Sequence, residues 1–203
     1  MIGHDTTYAS MGTFLHYLTK LQPHVHDALV EEARNVKEPL DNIDLRHNAP
    51  ILNAFLAEAW RKLPPVASIS RKNITNNEIH YKDYIFPKDC ALVCSPYLNQ
   101  EEYNGDTASE FQIERWLPDD HPLKVTAFSN KNNTNILMKD FNQISRAFKT
   151  FGVGTHSCLG HYLAKLEARI IMTRMLQYEI KVRDSKLVKR PFMRWTNEFQ
   201  LNV

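Results

Sequence analysis

No stretch of this 203-residue chain restricts its folding more than Phe151-Gly152-Val153-Gly154-Thr155-His156-Ser157-Cys158-Leu159-Gly160. Three of the six glycines in the sequence fall within these ten residues, which allows a tight turn and a close backbone approach to another group. Leu159, Leu163, Leu166 and Ile170 follow at helical spacing, so the loop feeds into a helix N-terminus. The unpaired N–H groups and the positive dipole end at such a start suit a thiolate. Cys158, placed at that junction, is a candidate nucleophile or metal ligand. A buried structural cysteine is the plainer alternative.

The pattern Phe-x-x-Gly-x-His-x-Cys-x-Gly resembles the haem-binding signature of the cytochrome P-450 family, and Leu163-Ala164-x-x-Glu167 resembles the start of the helix after it. The resemblance implies that Cys158 is the axial ligand of a haem b iron (iron protoporphyrin IX). It also implies cofactor-binding roles for Phe151, Gly152, His156 and Gly160, with His156 on a haem propionate. For His156 a plain loop histidine is the competing account.

Three weaker motifs stand in the family's order upstream. Met11, Phe14, Leu15, Leu18 and Leu21 predict an amphipathic helix over Thr6–Leu21, broken by Pro23. Gly3, Asp5, Thr6 and Thr7 at its start read most simply as a surface acid with capping hydroxyls. They also resemble the family's distal-helix signature, which implies that Asp5 and Thr6 deliver protons to bound dioxygen. Ile2 stands where the family usually has a small residue. Glu58-x-x-Arg61, followed by Pro64-Pro65, could be an ordinary i, i+3 surface pair. It resembles the family's Glu-x-x-Arg motif, which implies a buried ion network completed by an arginine further on. Phe111-Gln112-Ile113-Glu114-Arg115-Trp116 resembles the segment that supplies that arginine, Arg115, with Ile113 in place of the family's proline. Arg71, in the extended stretch Val66–Arg71, matches a position that reaches a haem propionate; a solvated strand-end charge is its alternative.

Elsewhere the chain reads as ordinary structure. A second helix is predicted over Pro23–Arg34, with Val25, Leu29 and Val30 inward. His24 and His26 point to different helix faces and make no metal pair. Glu38-Pro39 opens a polar connection, and Asn48-Ala49-Pro50 signals the start of a helix over Ile51–Leu63. Its inner face is Leu52, Phe55, Leu56, Ala59 and Leu63. Ile79–Tyr84 and Ile85–Pro96 predict a β-hairpin with a turn at Pro87-Lys88-Asp89. Cys90 and Cys94 then share one strand face as core residues, since no second ligand pair follows at zinc spacing. Leu98–Asp120 reads as loop, His121–Lys149 as a polar surface connection, and Lys186–Arg194 as a basic loop between short strands at Glu179–Val182 and Phe199–Val203.

Hydrophobic content of 43%, charged content of 24% and a net charge of +2 describe a globular protein without the basic blocks that track nucleic acid. Three cysteines are an odd number, which argues against a disulfide framework and for a reducing compartment. In that setting the sequons at Asn73-Ile74-Thr75 and Asn132-Asn133-Thr134 carry no weight. No apolar run reaches the ~18–20 residues that span a bilayer.

The resemblance covers essentially the whole chain. It implies a mainly α fold with small β-sheets, the C-terminal, haem-binding part of the cytochrome P-450 fold. Residues 1–203 then form a partial domain running from the distal helix end through the haem-binding loop to the C-terminal strands. The implied activity is a haem-thiolate monooxygenase that inserts one atom of O₂ into a lipophilic organic substrate, with a lean toward bulky sterol-like or terpenoid molecules. No flavin or nicotinamide fingerprint is present, so electrons come from a separate reductase or ferredoxin. Location is expected to be intracellular. Any membrane anchor, as on the cytosolic face of the endoplasmic reticulum, belongs to an upstream segment. Two other readings stand beside this one: a truncated, catalytically silent haem-binding fragment, and a haem-thiolate isomerase or dehydratase. Retention of Asp5 and Thr6 argues against the second, because such chemistry uses no proton relay.

Overall fold

The computed structural model describes residues 2–37, 47–95, 108–129, 150–178, 181–189 and 195–202. The helices described in full among these residues are α1 (Ile2–Leu18), α2 (Pro23–Asn35), α3 (Pro50–Lys62), α4 (Pro122–Ser129) and α5 (His161–Gln177). Three two-stranded antiparallel sheets complete it, from β1 (Ile69–Lys72), β2 (Ile79–Tyr81), β3 (Tyr84–Phe86), β4 (Ala91–Cys94), β5 (Lys181–Lys189) and β6 (Trp195–Asn202). The chain is mainly helical with small sheets. Among the described residues no helix is long and apolar enough to cross a membrane.

The core lies where α1, α2, α3 and α5 meet. Phe14, Leu29, Phe55, Ala168 and Met172 are fully buried there, and Ile113 and Leu117 close it from the loop after residue 108. Each large side chain so buried contributes about 1.5–3 kcal/mol by leaving water. The apolar periodicity of α3 explains its central place: Ile51, Leu52, Phe55, Leu56 and Ala59 point inward. Its start differs from expectation. Ala49, not Asn48, is the N-cap and offers no side-chain cap; Pro50 sits in the first turn. Glu32 of α2 does the capping instead, its two carboxylate oxygens each accepting a 2.8 Å bond, from the Ile51 and Leu52 N–H groups. Burial pushes the Glu32 carboxyl above its ordinary value, and those two bonds oppose the shift.

The strands pair differently from the predicted hairpin. β2 and β3 form a tight hairpin of their own, turning at Lys82, which takes a positive φ of 51°. β4 returns to pair with β1, with Ile69 opposite Cys94 and Lys72 opposite Ala91. Asn73 organises this double crossing. Its amide nitrogen donates to the carbonyls of Asn77, Phe86 and Pro87, while its side-chain oxygen accepts from the Thr75 N–H and hydroxyl. Asn73 is therefore 2% exposed and fully engaged, unavailable as a glycosylation acceptor. Cys90 falls outside β4, half-buried, and Cys94 ends that strand exposed, so the two do not share a core face. No group of residues suited to a metal ion by clustering of His, Cys, Asp and Glu occurs among the described residues.

Two other segments are more regular than the sequence suggested. Ile113–Trp116 is a 3₁₀ turn inside the expected loop, and β5 extends through Lys189 where a basic loop was expected to begin. The polar connection at 38–46 and the whole segment 130–149, including the second sequon, lie outside the described residues.

Candidate functional site

The cysteine loop is built by backbone chemistry. Gly152 and Gly154 take φ of 74° and 71°, a region that other L-residues enter only with strain. Between them and the helix, Gly154–His156 form a 3₁₀ turn. The Cys158 N–H donates to the Phe151 carbonyl at 2.8 Å and the Ser157 N–H to Gly154 at 3.1 Å, closing the loop on itself. Gly160 is the N-cap of α5; a Cβ there would lie 3.9 Å from Cys158 Sγ, against the sulfur's flank. Cys158 itself is a free, exposed cysteine.

Phe151 anchors the loop. Its ring meets Trp60 of α3 edge-on at 5.1 Å between centroids and carries Lys165 Nζ 5.4 Å above its face. The Thr150 hydroxyl adds a bond to the Trp60 carbonyl. The loop is thus tied to α3 at its entry and to α5 at its exit.

A cavity of about 870 Å³ opens beside it, within the size range of small-molecule sites. Cys158, His156, Gly152, Gly160 and Phe151 form one wall, Arg71 and Ile69 of β1 another, and Thr6, Thr7 and Ser10 of α1 a third. Residues from 150 positions apart in sequence therefore converge on one space. Arg71 is exposed, and its guanidinium donates only to the neighbouring Ser70 carbonyl among the bonds resolved for it. Thr6 donates weakly to the Gly3 carbonyl at 3.4 Å. Asp5 is not among the residues lining the cavity; its carboxylate lies 3.3 Å from Nδ1 of His4, which is among them.

Glu58, Arg61 and Arg115 come together away from the cavity lining, at 0%, 3% and 4% exposure. Arg61 grips Glu58 with a fork of two 2.7 Å bonds, from Nε and Nη2. Arg115 Nε adds a third at 3.1 Å. Two further donors were not expected from sequence: the Gln112 N–H at 2.8 Å and the Trp116 indole at 2.7 Å. Arg61 also reaches the carbonyls of Ala108 and Glu110, so the helix and the 108–116 segment are sewn together. Burial pushes the Glu58 carboxyl up, but the Arg61 bonds, the charges of Arg115 and Arg61 and the Gln112 N–H outweigh it and hold the group below its ordinary value. Opposing causes act on Arg115: burial pushes it down, and Glu58 opposes.

The residues present fit a haem. One free sulfur flanked by a glycine stands in a cavity whose apolar lining includes Trp60, Val66, Phe151, Leu163 and Ile171. The hydroxyls of Thr6, Thr7 and Ser10 and the Glu167 carboxylate line it too, and Arg71 and His156 supply polar groups suited to propionate carboxylates. Trp60, Ser10, Gln112 and Trp116 are the supporting residues that sequence reading missed. For Trp116 the signal was its position next to Arg115, which puts it on the same 3₁₀ turn; for Trp60 and Ser10 the sequence held no sign of contact.

Three comparisons bear on this arrangement. The family model for cytochrome P-450 matches residues 1–201. The mitochondrial sterol 26-hydroxylases of Homo sapiens and Mus musculus are 30% and 32% identical over 182 and 186 residues, and the lanosterol 14-alpha demethylase of Candida tropicalis is 27% identical over 191. These alignments cover 87%, 89% and 90% of this chain but only 30%, 31% and 36% of the relatives, so the chain spans about a third of their length. Among solved structures, retinoic acid-bound cyanobacterial CYP120A1 superposes with a TM-score of 0.70 at 21% identity, covering 99% of this chain and 44% of that one. The haem domain of cytochrome P450DA gives 0.73 at 18% identity, with 98% and 41% covered. At these identities the structural likeness concerns the fold.

Proposed function

The chain belongs to the cytochrome P-450 family, and from that premise we propose that it is the haem-binding part of a haem-thiolate monooxygenase with Cys158 as the iron ligand. The observation that carries this is convergence: Cys158 and His156 of the cysteine loop, Arg71 of β1 and Thr6 of α1 line one cavity although they come from three separate segments. When bound, haem b ligated by a thiolate supplies dioxygen activation and favours O–O cleavage.

The chain's own residues do the rest. Phe151, Gly152 and Gly160 shape the loop so that the sulfur is presented with backbone close around it. His156 and Arg71, both on the cavity lining, would hold the propionates. The Thr6 hydroxyl, on the α1 wall, would deliver a proton into the cavity, and Asp5, half-exposed next to it, would take protons from solvent. The Glu58–Arg61–Arg115 network touches none of these atoms; it fixes α3, and through Trp60 and Phe151 the entry of the loop.

Residues 1–203 are then a partial domain, from the distal helix to the C-terminal strands. A lipophilic substrate, of which the sterol-named relatives suggest the class, and a separate reductase or ferredoxin complete the system. The mitochondrial names among the relatives speak for an intracellular compartment; no relative named above carries the endoplasmic reticulum in its name, and that placement has no support here.

Haem reconstitution tests the reading. Reduced and exposed to carbon monoxide, the loaded chain is expected to show the red-shifted Soret band of thiolate-ligated iron, and Cys158→Ser to lose it. Absence of haem uptake, or an unshifted band in the parent chain, rules out Cys158 as the ligand.

A further inference from the structure

Thr6 and Ser10 sit four residues apart on the cavity face of α1. Ser10 is 5% exposed and its hydroxyl has two partners: it donates to the Thr6 carbonyl at 2.8 Å and accepts the Trp60 indole N–H at 3.0 Å. An indole N–H can only donate. Ser10 Oγ must therefore accept from Trp60, and its own proton is left for the Thr6 carbonyl. The direction of the hydroxyl is set by chemistry and does not depend on a free rotor.

A hydroxyl bonded to the carbonyl one turn back competes with the backbone ladder and bends helices. Here that competition is placed on the carbonyl of the residue assigned to proton delivery. Trp60 is in turn clamped. It is 4% exposed, with Phe14 and Phe151 each edge-on at 5.1 Å, and its carbonyl accepts the Thr150 hydroxyl at 3.3 Å. Thr150 and Phe151 are the residues by which the chain enters the cysteine loop. A continuous path of buried contacts thus runs from the cysteine loop through Trp60 and Ser10 to the Thr6 peptide.

We propose that Trp60 and Ser10 are positioning residues that couple the setting of the cysteine loop to the Thr6 turn of α1, holding that turn in the geometry in which Thr6 faces the cavity. The inference rests on the reading of Thr6 as the proton-delivering hydroxyl; the link itself rests on geometry alone.

Four single variants of the full chain and the Ser10→Ala/Trp60→Phe double variant test it. Trp60→Phe keeps a ring between Phe14 and Phe151 but removes the donor; Ser10→Ala removes the hydroxyl; Ser10→Thr restores one; Thr6→Ala is the reference. In the cofactor-free chain the Trp60 indole N–H is expected to exchange with solvent about fivefold faster in Ser10→Ala and at the parental rate in Ser10→Thr. In the haem-loaded chain with an electron donor, the ratio of hydrogen peroxide released to substrate oxidised is expected to rise severalfold in Trp60→Phe and Ser10→Ala. The double variant should be no worse than either single one, because both remove one shared interaction. Ser10→Thr should restore the ratio. Unchanged indole exchange in Ser10→Ala overturns the link. A parental peroxide ratio in Trp60→Phe and Ser10→Ala, while Thr6→Ala raises it, overturns the positioning role. If Thr6→Ala itself leaves the ratio unchanged, the proton-delivery reading of Thr6 fails, and the indole exchange alone still decides the link.

Discussion

The Glu58 network and the cysteine loop are both tied to α3, one through Glu58 and Arg61 and the other through Trp60, and they solve opposite problems. Glu58 is fully buried, and five donors converge on its two oxygens: two from Arg61 and one each from Gln112, Arg115 and Trp116. Its shape is held by charge and leaves nothing for a ligand to add. From Val153 to Gly160 the loop is exposed, closed by two backbone bonds and by glycine conformations. A region whose side chains satisfy one another is a support; one whose backbone holds its form while its side chains point into a cavity is a site. Substitutions should separate the two on a single axis, the free energy of unfolding.

Glu58→Ala should be the most damaging. It strands two buried guanidinium groups, and breaking a buried pair in this way costs about 3–5 kcal/mol. Chemical unfolding measures it. The pH dependence carries the same signature. Because the carboxyl sits below its ordinary value in the folded chain, its contribution is present above the unfolded value of about 4.3 and is lost as pH falls through the lower folded value. Glu58→Gln should therefore flatten the acid limb of the stability curve below about pH 4. An acid limb identical to the parent's would mean that another carboxylate governs it.

Trp116→Phe comes next. The ring is retained, and one donor to a charged acceptor is lost, an effect of about 1.5–3 kcal/mol. A loss below a few tenths would show that Arg61 and Arg115 satisfy the carboxylate without help.

The same contrast explains what could be read from the sequence. Helices α1, α2 and α3 were legible because one-sided burial leaves a 3.6-residue period, as in Leu52, Phe55, Leu56 and Ala59. The existence of α5 was also legible, but not its inner face: Leu159 precedes the helix and, like Leu163, is exposed, while Ala168, Met172 and Leu176 are buried. The partnership of Glu58 with Arg61 is local, and the spacing announces it. The capping of α3 by Glu32 is not local. Nineteen positions separate Glu32 from Ile51, and nothing in either neighbourhood points to the other. The strand pairing was misread for a related reason. Alternation and turn residues locate strands, but Asn73, through bonds to residues 77, 86 and 87, decides that β4 returns to β1. In the candidate site, Cys158, His156 and the glycines stood out because the loop is contiguous. Ser10 and Trp60 did not, since their contact spans fifty positions.

Gly152→Ala should destabilise by about 1–2 kcal/mol, the strain of a left-handed φ. Crowding adds little, because the new Cβ would meet the His156 carbonyl oxygen at 3.5 Å and Ser157 Cα at 3.6 Å, ordinary contacts. Gly154→Ala provides the control: φ is nearly the same, at 71°, and no atom lies within 4 Å of the added methyl. Equal losses at both positions would assign the effect to backbone strain. A much larger loss at Gly152 would mean that the loop is packed more tightly at its start than these distances indicate.

Cys158→Ser should have the smallest effect on unfolding, within about 0.5 kcal/mol, since the side chain is exposed and the loop is closed by the Cys158 N–H, which serine keeps. The same variant should abolish the thiolate signature of the haem-loaded chain. That dissociation is the sharpest form of the contrast. At Glu58 removal of a side chain is felt by the fold; at Cys158 it is felt by the ligand. A stability loss at Cys158 as large as at Trp116 would make the sulfur a structural part of the loop, and would assign Cys158 to the supporting class that Glu58 defines.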